Sequence, residues 1–219
     1  MIYGLSMKRS LVTFDLDDTI IDTSDVVFKA FNDTLKDRGK GSISKDRYKE
    51  INFWSGDSKS ALKEIGVEIS PEEFISHYDV FFEEATKSYI DQGKIAKYPG
   101  VEQVFTRFKE SYGSMAIVTN SPHKVALLKL EKLGIGSYFE HVITPKHVVN
   151  KKPSPEGILK AIEQSGSHKD RTVHIGDSSH DVEAAQRAGV ASVKIGAEHE
   201  KADYNISEFK QLKHIDINL

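Results

Sequence analysis

The chain of 219 residues has no cysteine. That absence excludes disulfides, zinc–thiolate centres and thiol nucleophiles together. It fits a reducing compartment, and a cytoplasmic location is expected. No apolar run is long enough to span a bilayer, and no charged segment followed by a long apolar stretch opens the chain. Charge of one sign is scarce too: 30 Lys and Arg stand against 33 Asp and Glu, a net of −3, with no basic stripe. Nucleic acid and membrane surfaces therefore find no electrostatic hold, and neither is expected as a partner. Repeats and low-complexity runs are missing as well. A 38% hydrophobic content supports a real core, and the length suits one core of ordinary size carrying an insertion. Met7 can serve as an alternative start, since Met1 to Ser6 adds little to the first strand.

What is present is organised around Leu11 to Asp22, L-V-T-F-D-L-D-D-T-I-I-D. A short run of β-formers ends in three carboxylates, Asp15, Asp17 and Asp18, so a buried strand delivers acids to its own carboxyl end. In open parallel α/β sheets that end is where ligands bind. Packed carboxylates repel unless a proton or cation offsets them, which favours a hard, oxygen-liking ion such as Mg2+.

Two kinds of pattern follow. From Ser24 to about Lys94 the spacing is nearly pure helix. Ser24 is expected to cap a first helix through Val26, Ala30, Phe31 and Leu35, and Ser44 to start a second. Ser70-Pro71-Glu72-Glu73 opens the longest amphipathic pattern with a capping box, through Phe74, Tyr78, Phe81, Phe82, Ala85 and Tyr89. After Pro99-Gly100 strands alternate with helices: strands at 115–118, 141–144, 172–175 and 191–194, separated by helical segments closed by Gly134 and Gly189. The reading is an α/β protein, a Rossmann-like, doubly wound parallel sheet with an inserted α-helical cap. Its core would comprise 1–22 and 96–219, and its cap 23–95. Movement is expected at linkers near Asp22-Thr23 and Ile95 to Tyr98, admitting substrate and then excluding water.

If the sheet is parallel, four polar strand ends share one rim. Asp15, closest to its strand, can attack phosphorus and form an aspartyl-phosphate. Asp17, two residues on, can protonate the leaving oxygen and then deprotonate water. Asp177 brings a further carboxylate to a Mg2+ site. Thr119 offers a hydroxyl, Asn120 and Ser121 offer N–H groups near a helix start, and Lys152 a point charge. Together these four make a cradle for phosphoryl oxygens.

These residues closely resemble the haloacid dehalogenase-like hydrolase superfamily. D-L-D-D-T at Asp15 to Thr19 is similar to its first motif and the strand ending in Thr119 to its second. Lys152 before Pro153 is similar to its third, and G-D-S-S-H-D at Gly176 to Asp181 to its fourth. The helical insertion after the first motif resembles the C1-type cap of the phosphoglycolate phosphatase-like and β-phosphoglucomutase-like branch. The resemblance implies Asp15 as nucleophile, Asp17 as acid/base lending its carbonyl to Mg2+, and Asp177 as metal ligand. It further implies that Asp181 holds metal-bound water or orients Lys152. Asp17 is absent from the family's dehalogenases, so its presence favours phosphoester chemistry on a small phosphorylated metabolite. The expected enzyme is a phosphoric monoester hydrolase. The alternatives are a phosphomutase and a catalytically silent binding module on the same fold.

Other residues carry milder expectations. Asp18, where many relatives have glycine, reads as a turn acceptor. The Phe53 to Asp57 loop either contacts substrate or packs Trp54 between helices. His123 either lies near the phosphate cradle or is an exposed first-turn residue, the latter being expected; His180 is expected to face solvent, and His174 to be a hydrogen-bonded core residue. Histidine is no natural ligand for Mg2+.

Overall fold

The computed structural model describes residues 10–54 and 57–215. The alternative start at Met7 and loop positions 55 and 56 lie outside them. The chain divides into two compact units. The described residues of Met1–Ile21 and Lys97–Leu219 form one, and those of Asp22–Ala96 the other.

The first unit is built on a strand buried on both faces. β1 (Ser10–Phe14) has no exposed residue, as expected where helices cover a parallel sheet on both sides. It pairs in parallel with β4 (Gly113–Val118) and β6 (Thr172–Gly176). β5 (His141–Ile143) flanks β4, and β7 (Ala191–Ile195) and β8 (Tyr204–Ile206) follow β6, all parallel, in the order β5-β4-β1-β6-β7-β8. The connections supply helices α5 (Val101–Tyr112), α6 (His123–Lys132), α7 (Glu156–Ser165) and α8 (Ser179–Ala188). Strand alternation sends Leu11 into an aliphatic layer with Ile158, Ala161, Ala184 and Ala185. Phe14 faces the opposite way, into an aromatic layer with Phe105 and Phe108 of α5, at ring separations of 5.4 and 6.0 Å. The doubly wound α/β fold is thus present, with one strand more than expected. Tyr204–Ile206 is too short and irregular to show a period of two, and only its pairing with β7 defines it.

The second unit holds α1 (Ser24–Asp37), α2 (Lys45–Ile51), α3 (Ser58–Glu64) and α4 (Pro71–Asp91). Its centre is aromatic: Phe31, Phe53 and Phe74 lie 5.1 to 5.5 Å apart. Trp54 packs on Phe53 and Tyr78 at 4.7 Å, and its indole N–H donates to the Tyr48 hydroxyl at 2.8 Å. Short strands β2 (Ile21–Asp22) and β3 (Ala96–Lys97) pair where the chain passes between units.

Two helix starts differ from expectation. Ser24 lies inside α1 after Thr23, and Asp22 Oδ1 accepts both its N–H (3.2 Å) and its hydroxyl (2.8 Å). A carboxylate is the stronger acceptor at a helix N-terminus. At α4 Ser70 accepts from the Glu73 N–H at 3.1 Å, but the Glu73 carboxylate lies 3.5 Å from Arg38 and does not close the box. Among the described residues, no helix is long and apolar enough to cross a membrane.

Candidate active site

The carboxyl ends of β1, β4 and β6 converge in the first unit. Asp15 leaves β1 with its N–H donating to Ile175 O of β6 at 2.9 Å, so its backbone is fixed in the sheet. Its carboxylate is buried. Lys152 Nζ lies 2.7 Å from Asp15 Oδ1 and 2.6 Å from Asp181 Oδ1. Lys152 is buried while Lys151 is exposed, so Lys152 is the cation that reaches the site. Asn120, after β4, grips its backbone at two points: the amide donates to Lys152 O (3.1 Å) and accepts from Lys152 N–H (3.0 Å).

Asp181 is saturated. Its Oδ1 meets Lys152 and His174 Nε2 at 2.6 and 3.1 Å, and its Oδ2 accepts from the Ser178 N–H (3.0 Å) and hydroxyl (2.5 Å). His174, in β6, is buried, with Nδ1 2.9 Å from the Thr13 hydroxyl. Gly176 makes this approach possible: a Cβ there would fall 2.2 Å from Asp181 Cγ and 2.5 Å from Oδ2. Asp177 accepts from the Thr19 hydroxyl at 2.7 Å.

Burial dominates the electrostatics. It raises Asp15 from 3.8 to about 8, Lys152 pulling down and Asp181 and Asp177 pushing further up. Burial, then Asp181, raises Asp177 to about 7. For Asp181, burial is outweighed by Lys152 and His174, which hold its carboxyl well below the usual range. Burial also opposes the Lys152 charge, yet Asp15 and Asp181 outweigh it and lift the ammonium above its ordinary value. Burial pushes His174 down. Oxygens of Asp15, Asp177 and Asp181 lie within 4.8 Å of one another. Asp15 Oδ1 is buried and receives no aligned hydrogen bond. Two neighbouring carboxylates that resist ionisation suit a hard divalent cation. Mg2+ fits Asp15 and Asp177 best, because the four contacts to Asp181 already use its acceptor capacity.

Thr119 and Ser121 are buried at the end of β4. The Ser121 N–H donates to Thr119 Oγ1 at 3.1 Å, and the Ser121 hydroxyl donates to Asp17 Oδ2, so Ser121 grips the acid/base candidate. Asp18 adopts φ 54, the left-handed region, with its N–H donating to Ile21 O at 2.8 Å. That conformation favours glycine. His123 is half-buried, with Nδ1 3.1 Å from the Thr144 hydroxyl and its ring 5.1 Å from His147. His180 is also half-buried, and burial pushes it down. Neither faces solvent as expected, because each sits in the first turn of a helix packed on the sheet rim.

Lys129, which none of the four motifs marks, also reaches the site. Its Nζ lies 2.5 Å from Asp17 Oδ1, and the residue is fully buried in α6. The signal was available: Val125, Ala126 and Leu130 mark the inner face of that helix, and position 129 falls on it. A lysine there breaks the apolar pattern. Thr19, the last residue of D-L-D-D-T, was not singled out for its bond to Asp177.

Comparison with known proteins converges on one family. The model for haloacid dehalogenase-like hydrolases matches residues 12–195. The phosphoglycolate phosphatase of Rhodobacter capsulatus is 31% identical over 82% of this chain and 81% of its own. The pyrophosphatase PpaX of Halalkalibacterium halodurans is 28% identical over 90% and 88%. The fold matches CbbY of Rhodobacter sphaeroides, solved with phosphate, at a TM-score of 0.75 and 20% identity, over 93% of this chain and 96% of that one. With the match running from β1 through β7, the chain belongs to the haloacid dehalogenase-like hydrolase family and is one of its phosphatases.

Proposed function

We propose that the chain is a Mg2+-dependent phosphatase that hydrolyses a small phosphorylated metabolite through an aspartyl-phosphate on Asp15. One observation carries the reading: a backbone-anchored, buried carboxylate with an ammonium 2.7 Å away and further carboxylates within 4.8 Å. Asp15 would attack phosphorus as the P–O bond to the leaving group breaks, and the leaving oxygen would take the proton of the Asp17 carboxyl. Water would then attack the aspartyl-phosphate and give a proton back to Asp17, releasing phosphate and the Asp15 carboxylate. Lys152 and Thr119 would hold phosphoryl oxygens, and Asp181 would hold Lys152. Bound to Asp15, Asp177 and, by the family resemblance, the Asp17 main-chain carbonyl, Mg2+ would supply charge neutralisation for the transferring group. The helical unit is read as the family's cap. Phosphoglycolate and pyrophosphate, named in the relatives, are the first substrates to try.

The test is phosphate release from a panel of phosphoesters and pyrophosphate, with Mg2+ or chelator, for the wild type and Asp15→Asn. Metal-dependent release falling by about a thousandfold or more in the variant supports the mechanism. Release that persists in Asp15→Asn defeats it. Sugar-phosphate isomerisation with little free phosphate would instead indicate a mutase.

A further inference from the structure

Lys129 is a fully buried ammonium on the sheet-facing side of α6, 112 residues from the carboxylate it meets. An unpaired charge at such a depth is expensive, and a helix of this kind normally fills the position with an aliphatic residue. The compensation is Asp17. Its Oδ1 lies 2.5 Å from Lys129 Nζ, and its Oδ2 accepts from the Ser121 hydroxyl, which Lys129 Nζ also approaches at 3.3 Å. Lysine, serine and aspartate thus close a three-membered ring of contacts, each carboxylate oxygen tethered once. A carboxylate has about four lone-pair sites. Two are used on the buried side, and the Asp17 side chain keeps 20% of its surface exposed. The carboxylate is therefore clamped from behind and open in front.

We infer that Lys129 is a positioning residue for catalysis, which with Ser121 fixes the Asp17 carboxylate in the orientation its proton transfers require. This rests on the acid/base role proposed above for Asp17. The network is separate from the one around Lys152: Lys152 contacts Asp15 and Asp181, Lys129 contacts Asp17. Two buried lysines thus divide the work, one at the nucleophile and one at the acid/base. A misplacement of the order of an ångström is worth about a hundredfold in rate, so a clamp of this kind has catalytic consequences that packing alone does not.

The experiment compares wild type, Lys129→Met, Asp17→Asn and the double variant on p-nitrophenyl phosphate and on an alkyl phosphate the wild type accepts. Methionine keeps the length and helix preference of lysine without its charge. An aryl leaving group needs no proton, so only the second proton transfer is tested with it; the alkyl ester tests both. For Lys129→Met the expected outcome is a fall in kcat of about 10- to 100-fold, larger for the alkyl ester, with KM within about threefold. The aryl substrate should give a burst of nitrophenolate above that of the wild type, approaching about one equivalent per site, as phosphoenzyme accumulates. In the Asp17→Asn background, Lys129→Met should change kcat by less than about twofold, because the two residues act as one unit. Lys129→Gln retains a donor and should recover part of the lost rate; it also serves if the methionine variant does not fold. Undiminished kcat in the methionine and glutamine variants overturns the inference, and so does a full loss on top of Asp17→Asn, which marks a purely structural lysine. Neither result touches the phosphatase reading, which stands or falls on wild-type metal-dependent release and its loss in Asp15→Asn.

Discussion

The two units handle charge in opposite ways. In the helical unit, cations and anions meet on the outside, as in Lys29 with Asp33 at 2.5 Å and Lys87 with Glu83 at 2.6 Å, both one helical turn apart and partly exposed. Its interior is aromatic. In the sheet unit, Lys152, Asp181 and Lys129 are withdrawn from solvent beneath the strand ends. Exposed pairs contribute about 0–1 kcal/mol, whereas removing one partner of a buried pair costs about 3–5 kcal/mol. Stability therefore rests on different chemistry in the two halves: among the described residues, every charged residue that is buried as a whole lies in the sheet unit. Such burial marks a site where charge is used.

Four outcomes would break or sharpen this contrast. The largest is expected from Asp181→Asn, which deprives Lys152 and His174 of their shared partner. It should lower unfolding free energy by about 3–5 kcal/mol in urea titrations with chelator present. A loss below about 1 kcal/mol would mean that Asp15 alone satisfies the ammonium. Next, Phe74→Ala in the helical unit should cost about 3–4 kcal/mol, visible as loss of amide-exchange protection confined to 22–96. If protection fell equally in the sheet unit, the two would not be separable cores.

The third outcome is a pH effect. Asp15 and Asp177 titrate higher in the folded protein, at about 8 and about 7, than the ordinary 3.8. The native state thus holds more protons than the unfolded chain between these limits, and metal-free stability falls as pH rises through that window. Mg2+ displaces those protons, so the Tm gain on adding Mg2+ should grow from pH 6.5 to pH 8 and then level off. His174, whose charged form burial disfavours in the folded state, contributes with the opposite sign near and below pH 6.5. A Tm gain independent of pH would show the carboxylates already ionised. The smallest effect is expected from Lys29→Ala, within about 0.5 kcal/mol by the same urea titration, since its exposed pair is screened.

Much of the fold could be read from periodicity because the physics behind it is local. The run Leu11 to Phe14 is apolar but for Thr13 because β1 is covered on both faces, and the glycines at 134 and 189 end α6 and α8 by adopting positive φ. The rim residues were legible because successive strand ends of a parallel sheet face one way. What escaped was decided by partners remote in sequence or by competition between near neighbours. Lys129 acquires its meaning from Asp17, 112 positions away. Asp22 takes the amide and hydroxyl of Ser24, the residue expected to be the cap, and Glu73 turns to Arg38. β8 exists only through its hydrogen bonds to β7.

Gly176 has a consequence for inheritance. The space that a side chain would occupy there is filled by Asp181, at 2.2 Å from the Cβ position, and Asp181 cannot retreat without releasing Lys152 and His174. The two positions are thus free to vary only together. Across descendants of this chain, any residue larger than glycine at 176 should be found with aspartate at 181 replaced, and lineages that retain turnover should show neither change.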